Sequence, residues 1–197
     1  MVAGMTMTLA DPARPDTGRA YAVVRFNPVF HRLAAAETLL AVQDDSGTYP
    51  PVREAARDRD AFALWLTGEP ALGQWVAIAA DGRVAGHVKV SVLHPQLGAH
   101  LPIMGCSPVA VRGFCEIGRF FVHPDFQGHG VGRELFAAAT GYAWDAGHQP
   151  ALAVPGSALN ARRFFAARGL RDAGTFDGLH GPTHVLVDET VPNFTAW

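Results

Sequence analysis

The chain has 197 residues, 49% of them hydrophobic and 17% charged, with a formal charge of −2 and a pI near 6.5. That is the composition of a globular protein, long enough for one domain with a real core, and it excludes a disordered or fibrous chain. With no dense basic run, a nucleic-acid partner bound through phosphate contacts is excluded as well.

Residues 1–18, rich in Asp, Pro, Thr and Ala, read as a loose arm, residues 19–190 as one domain and residues 191–197 as a tail. Residues 20–26 form a β-rich run ended by Asn27-Pro28. Phe30, Leu33, Ala34, Leu39 and Leu40 recur near helical spacing and predict a helix over 29–42, closed by Asp44-Asp45-Ser46-Gly47. After the stiff Tyr49-Pro50-Pro51 turn, residues 53–66 predict a second helix with Phe62, Leu64, Trp65 and Leu66 as its apolar members. Residues 74–80 and 83–93 read as a hairpin about Ala80-Asp81-Gly82, where Asp-Gly suits a turn needing positive φ.

Residues 94–113 carry Gly and Pro without a period and read as a long excursion between strands. A strand over 115–122 follows, then a strongly amphipathic helix over 131–146, with Val131, Leu135, Ala138, Ala139, Tyr142, Ala143 and Ala146 on one stripe. A short strand over 151–154, a helix over 158–168 stopped by Gly169, and strands near 171–176 and 183–188 complete the order β-α-α-β-β-β-α-β-α-β-β. That order predicts a single α/β domain around a mixed sheet flanked by about four helices.

Cys106 and Cys115 make neither a disulfide framework nor a metal-ligand spacing, and read as small buried apolar residues of a reducing compartment. The nine histidines are scattered, so no metal site is expected. Met1-Val2-Ala3-Gly4-Met5 lacks a basic stretch before an apolar run, so no signal peptide is expected. No stretch of about 18 apolar residues suggests a membrane span. The expected compartment is the cytoplasm, with no membrane or nucleic-acid partner and a homodimer left open.

Most informative is Phe120-Phe121-Val122-His123-Pro124-Asp125-Phe126-Gln127-Gly128-His129-Gly130-Val131-Gly132-Arg133. A strand stops at Pro124, a glycine-dense turn follows, and a long helix starts. Glycines let the backbone approach a ligand with several N–H groups pointing one way, and the helix N-terminus adds about half a positive charge. Such a turn suits a phosphate or pyrophosphate. It is not a P-loop, since Gly132-Arg133-Glu134 replaces Gly-Lys-Ser/Thr. Nor is it a dinucleotide fingerprint, since the third glycine position counted from Gly128 and Gly130 is Arg133. His123 and His129 flank the turn as exposed side chains.

This segment resembles the central motif of the Gcn5-related N-acetyltransferases, whose pyrophosphate loop reads Gln/Arg-x-x-Gly-x-Gly/Ala. Here that is Gln127, Gly130 and Gly132, preceded by Val122 and Pro124 of the usual Val-x-Pro. The helix ending at Gly169-Leu170 resembles the family's second motif. The resemblance runs from Gln74 to about Leu170 and implies acetyl-coenzyme A as co-substrate and no metal. It implies that Phe120, Phe121 and Val122 offer backbone groups to the pantetheine and acetyl carbonyl. Gln127, Gly128, His129, Gly130, Val131, Gly132 and Arg133 would cradle the pyrophosphate, with Asn160 and Phe165 also on the cofactor. Splaying of strands 115–122 and 151–154, helped by Pro155-Gly156, would admit the pantetheine arm.

For the proton chemistry, Glu116 is the candidate catalytic base. It stands eleven positions before Gln127, as a catalytic glutamate does in the histone-acetylating branch, and Glu116, Gly118 and Phe120 would share one strand face. The alternative is a carboxylate that is solvated or paired with Arg119 or Arg112. The family's usual acid, a tyrosine four residues before the motif's glycine, is here Phe165, which has no proton to give. The asparagine often found seven residues earlier is Ala158, though nearby Asn160 offers a substitute, and a strand glutamate used by some ribosomal-protein acetyltransferases would fall at Ala153. Water, Tyr49, His180 or Tyr142 remain as proton donors.

The acceptor groove implied by the resemblance points to Asp44, Asp45, Tyr49, Trp65 and the turn Asp177-Gly178-Leu179-His180-Gly181, whereas Trp75 and Trp144 read as core. The function expected is acetyl transfer to a primary amine of a small molecule by direct attack. A protein N-terminus or lysine as acceptor, or an acyl-coenzyme A sensor with little turnover, are the alternatives.

Overall fold

The protein's computed structural model describes residues 20–47, 49–50, 58–99, 101, 113–178 and 181–188. The expected arm (1–18) and tail (191–197), residues 53–57 of the expected second helix, Cys106, Arg112, Leu179 and His180 lie outside them.

Seven strands form one mixed sheet in the order β1-β2-β3-β4-β5-β7-β6. They are β1 (Tyr21–Arg25), β2 (Gly73–Ala79), β3 (Val84–Val92), β4 (Gly113–Val122), β5 (His148–Pro155), β6 (Leu170–Gly178) and β7 (Gly181–Asp188). The helices are α1 (Pro28–Ser46), α2 (Arg59–Thr67), the four-residue α3 (Pro95–Gly98), α4 (Val131–Asp145) and α5 (Leu159–Ala166). The expected order holds, with α3 added inside the excursion after β3.

Two large cores sandwich the sheet, and a third, smaller cluster of Leu97, Leu101, Ala151, Val185 and Val187 packs against β5 and β7. On one face Val131, Leu135, Phe136, Ala139 and Ala143 of α4 and Phe165 of α5 bury against Ala77, Val88, Val90, Cys115 and Ile117. On the other, α1 and α2 bury Ala35, Ala36, Leu39, Phe62, Ala63 and Leu66 against Val76, Val84 and Phe121. Helix α1 therefore differs from its predicted stripe. Phe30 is 76% exposed and Leu33 40%, because the small Ala35 and Ala36 are the residues that let the helix lie close to the sheet. Thr38 ties this contact, its hydroxyl donating to the Val84 carbonyl at 2.6 Å. Leu64 likewise stays exposed on α2, Asp44 and Asp45 lie within the last turn of α1, and Gly47 caps that helix with φ 68°.

The decisive irregularity is in β4. Ser91 pairs with Glu116 and Lys89 with Gly118, but the next pair is His87 with Phe121. Arg119 and Phe120 together oppose one residue, a β-bulge, and Arg119 takes a φ of 47°, in the left-handed region that bulky side chains seldom enter. The bulge resets the strand's alternation. Cys115 and Ile117 before it and Phe120 and Val122 after it face α4 and α5, whereas Phe121 joins the α1–α2 core. By alternation Glu116 and Gly118 share the Phe121 face. The expectation that Phe120 lies on the Glu116 face is thus corrected, since an unbroken strand would be needed for it.

Buried His87 braces the bulge. Its Nε2 lies 3.3 Å from the Gln74 amide nitrogen, a donor, so the ring's N–H is on Nδ1 and donates to the Arg119 carbonyl at 2.7 Å. Burial pulls this imidazole's pKa down to about 4, and the charges of Arg119 and Lys89 add to the pull. In the unfolded chain histidine titrates near 6.5, so between that pH and about 4 the unfolded state takes up a proton that the folded state refuses. The stability that neutral His87 carries above pH 6.5 should fall by roughly 3 kcal/mol as pH drops to 4. Denaturant titrations of the wild type and His87→Gln test this. The wild type's advantage should shrink steadily from pH 7 to pH 4, and a pH-independent gap would remove His87 from the acid response.

Candidate active site

The turn after β4 is built by local chemistry. His123 accepts from the Asp125 N–H at 3.1 Å and caps the short 3₁₀ turn Pro124–Phe126, its ring 5.8 Å from that of Phe126. It is therefore a largely buried cap, and its expected exposure is corrected; His129 is exposed, its Nδ1–H directed at the Gln127 carbonyl at 2.8 Å. Gly128 and Gly130 take φ of 77° and 86°, which L side chains resist. Gly130 is the N-cap of α4 and supplies no side chain to cap it, so the first-turn N–H groups of Val131, Gly132 and Arg133 are left open toward the turn. At Gly132 a methyl group would already touch Phe120, Val122 and Phe164 at 3.4–3.5 Å, so the helix is seated close on β4. Gln127 and Arg133 are exposed or nearly so at the rim, with the Gln127 amide 3.5 Å from the Val122 carbonyl.

Beside this cradle the sheet opens. β4 and β5 pair in parallel over four positions, from Gly113 with His148 to Glu116 with Ala151, and then separate. β5 continues to Pro155 on β7 alone, while β4 continues to Val122 on β3 alone. The β4 edge over residues 117–122 thus lacks its β5 neighbour. Phe165 is buried under this region among Phe120, Phe136 and Phe164, ring centroids 5.1–5.6 Å away. Asn160 stands exposed in the first turn of α5, next to its N-cap Ala158.

On the α1–α2 face, polar groups converge that the chain otherwise buries in apolar surroundings. Glu116 Oε2 accepts from the His94 N–H at 3.1 Å, and burial raises its carboxyl pKa, a shift that this hydrogen bond opposes. Glu116 is therefore neither freely solvated nor paired with Arg119. Arg119 pairs instead with Glu69 at 3.0 Å and lies over the Trp65 ring at 4.9 Å. Lys89 is buried and donates to the Glu69 carbonyl at 2.6 Å; burial first, and Arg119 second, bring its ammonium down to about 8. Tyr49 packs against Trp65 and Phe121, and burial raises its phenol pKa.

A family model for the acetyltransferase (GNAT) family matches residues 39–170, two thirds of the chain. The chain belongs to this family. It is an acyltransferase by that membership, and its α/β fold is that of solved family members. Arabidopsis thaliana NAA60 in complex with acetyl-CoA superposes with a TM-score of 0.62 at 14% identity, over 85% of this chain and 97% of that one. A GCN5-related N-acetyltransferase from Kribbella flavida gives 0.59 at 21% identity over 85% and 96%. A GNAT-family acetyltransferase from Staphylococcus aureus MU50 gives 0.57 at 14% over 85% and 99%. No curated protein sequence matches the acetyltransferase.

The acetyltransferase does not assemble every residue the sequence suggested. Tyr142 is spent elsewhere, its hydroxyl donating to the Leu72 carbonyl at 2.6 Å and its ring meeting that of Trp75 edge-on at 5.3 Å. Trp75 and Trp144 are core as expected, 7% and 6% exposed. Cys115 is buried and its thiol is pushed up to about 12. Asp44 and Asp45 are exposed. Lys89, His87, Arg119 and Glu69 were missed as a group. A signal existed: in Val-Ala-Gly-His-Val-Lys-Val-Ser-Val, His87 and Lys89 alternate with apolar residues, which places both on one face of β3.

Because burial raises the Glu116 pKa above its unfolded value, the carboxyl costs nothing at low pH, where both states are protonated, and opposes folding as pH rises. Glu116→Gln keeps an oxygen for the His94 N–H without the charge. Its melting temperature should exceed the wild type's by about 2–5 °C at pH 8, with the gain gone near pH 4. A variant less stable than wild type at pH 8 would contradict this.

Proposed function

We propose that the protein transfers the acetyl group of acetyl-coenzyme A to a primary amine of a small molecule, by direct attack with both substrates bound. The observation that carries this reading is the uncapped N-terminus of α4 behind the left-handed Gly128 and Gly130, set beside the gap between β4 and β5. These residues fit the co-substrate: Gln127, Gly128, His129, Gly130, Val131, Gly132 and Arg133 hold the pyrophosphate through backbone N–H groups. Phe120, Phe121 and Val122 offer their backbone to the pantetheine, with Asn160 and the Phe165 region flanking it. A small acceptor would lie in the open hollow of about 390 Å³ on the α2 side, lined by Leu64, Trp65, Glu69 and Arg119.

Glu116 takes the proton that the attacking amine must lose. An alkylamine of pKa about 10.4 needs roughly 4–5 kcal/mol to be free at pH 7, and a carboxylate whose pKa is raised by burial is the stronger base for it. The nitrogen bonds to the thioester carbonyl carbon, the C–S bond breaks, and the thiolate takes a proton. That proton comes from water. Tyr49 is not its source, because burial disfavours the phenolate that donation would leave behind, whereas solvent also takes back the proton that Glu116 removed.

Calorimetry should show acetyl-coenzyme A binding without comparable binding of NADH, and Gly130→Val, which forces a branched side chain into φ 86°, should weaken it at least tenfold. Thiol release should depend on an added amine, and Glu116→Gln should depress turnover most near neutral pH and least at high pH, where the amine is already free. Tight binding with no acceptor-dependent release across a broad amine panel, hydrolysis serving as the blank, would replace this reading with a sensor.

A further inference from the structure

Acetyl transfer by Glu116 leaves Arg119 without a task. The bulge that turns Phe120 toward α4 sends the Arg119 side chain toward α2, where only a tenth of it is exposed. Its guanidinium is incompletely matched. Nη2 donates to Glu69 Oε2 at 3.0 Å, but Nε, on the same edge of the fork, is buried and has no hydrogen-bond partner among the described residues. That edge presents two parallel N–H groups and receives one oxygen, whereas a carboxylate offers two. Glu69 is held loosely, its side chain 67% exposed, so an incoming carboxylate can displace it.

Arg119 also lines the hollow of about 390 Å³, together with Glu69 and the apolar Leu64 and Trp65. Glu116 lies three residues earlier on β4, close enough that the Arg119 charge acts on its carboxyl. One open hollow thus offers an under-used guanidinium edge and an apolar wall, and Glu116, the base, lies on the same strand three residues before Arg119. We propose that the acceptor is an amino acid with an apolar side chain, its carboxylate on the Nε–Nη2 edge of Arg119, its side chain against Leu64 and Trp65, and its amine toward Glu116. This rests on the acetyl-transfer reading of the site.

The test is acetyl-coenzyme A-dependent thiol release with L-leucine, L-methionine and L-phenylalanine, their amides, and the amines 3-methylbutylamine and 2-phenylethylamine. For the wild type, kcat/KM for at least one free amino acid should exceed that for its amide and its decarboxylated amine by at least 30-fold, mainly through KM. Arg119→Gln should erase that preference by lowering the amino acid's value at least 30-fold more than the amide's, and Arg119→Lys should recover part of it. Equal use of acid, amide and amine by the wild type, or an equal fall for all three in Arg119→Gln, would overturn the proposal. Should Arg119→Gln fail to fold, judged by melting and by acetyl-coenzyme A binding, the wild-type preference decides alone. Transfer to other amines but not to these amino acids would sink this inference and leave acetyl transfer standing. Transfer to no amine at all would sink the acetyl-transfer reading itself.

Discussion

β4 has to be a strand on one side and an open edge on the other, and every feature of the site follows from that demand. It pairs with β3 along most of its length but with β5 over only four positions. Past Glu116 its backbone is released from the parallel neighbour while the antiparallel one still holds it straight. The bulge at Arg119 then shifts the remainder of the strand by one residue. Phe120 turns into the aromatic cluster under α5, Phe121 into the core under α1 and α2, and Arg119 toward α2. A regular strand would have put Phe120 beside Glu116, with a phenyl ring on the face that here carries polar groups.

Holding that bulge has a cost, and the surrounding residues show where it is met. A positive φ at a non-glycine residue is strain that the neighbourhood must over-determine. His87 does so from β3, fixed in one tautomer by Gln74 and hydrogen-bonded to the Arg119 carbonyl. The same pocket of low dielectric holds Lys89 and Glu116, each with a pKa shifted toward its neutral form. Such groups oppose folding at neutral pH and are retained against the two apolar cores on either side of the sheet. Burial of ionisable groups against a cavity is the pattern expected where chemistry, rather than stability, dictates residue choice.

Much of the architecture was legible in the chain. The periodicity of α4, the Asp81-Gly82 hairpin and the Gly169 stop follow from local rules that depend on nearby residues alone, and each appears where the pattern placed it. The glycine turn was legible for the same reason: positive φ at Gly128 and Gly130 and an uncapped helix start are properties of a few consecutive residues. Glu116 could be singled out by its spacing from that turn. Its surroundings could not, because the His94 N–H that it accepts from lies 22 residues away.

What the linear pattern left undecided depends on long-range register. An alternating strand model cannot contain a bulge, since the extra residue is defined only by the partner strand, so the faces of Phe120 and Arg119 came out wrong or unassigned. The α1 stripe was misjudged because apolar residues compete for burial, and the sheet took the small Ala35 and Ala36 in place of Phe30. Arg119 and Glu69 are 50 residues apart, and nothing local joins them. The glycine turn proposed to hold the acetyl donor is a short-range construction and can be read from the chain. The polar cluster proposed to receive the acceptor draws on β3, β4, α2 and the segment after α2, so only packing in three dimensions decides which charges meet there and which donor is left without a partner among the described residues.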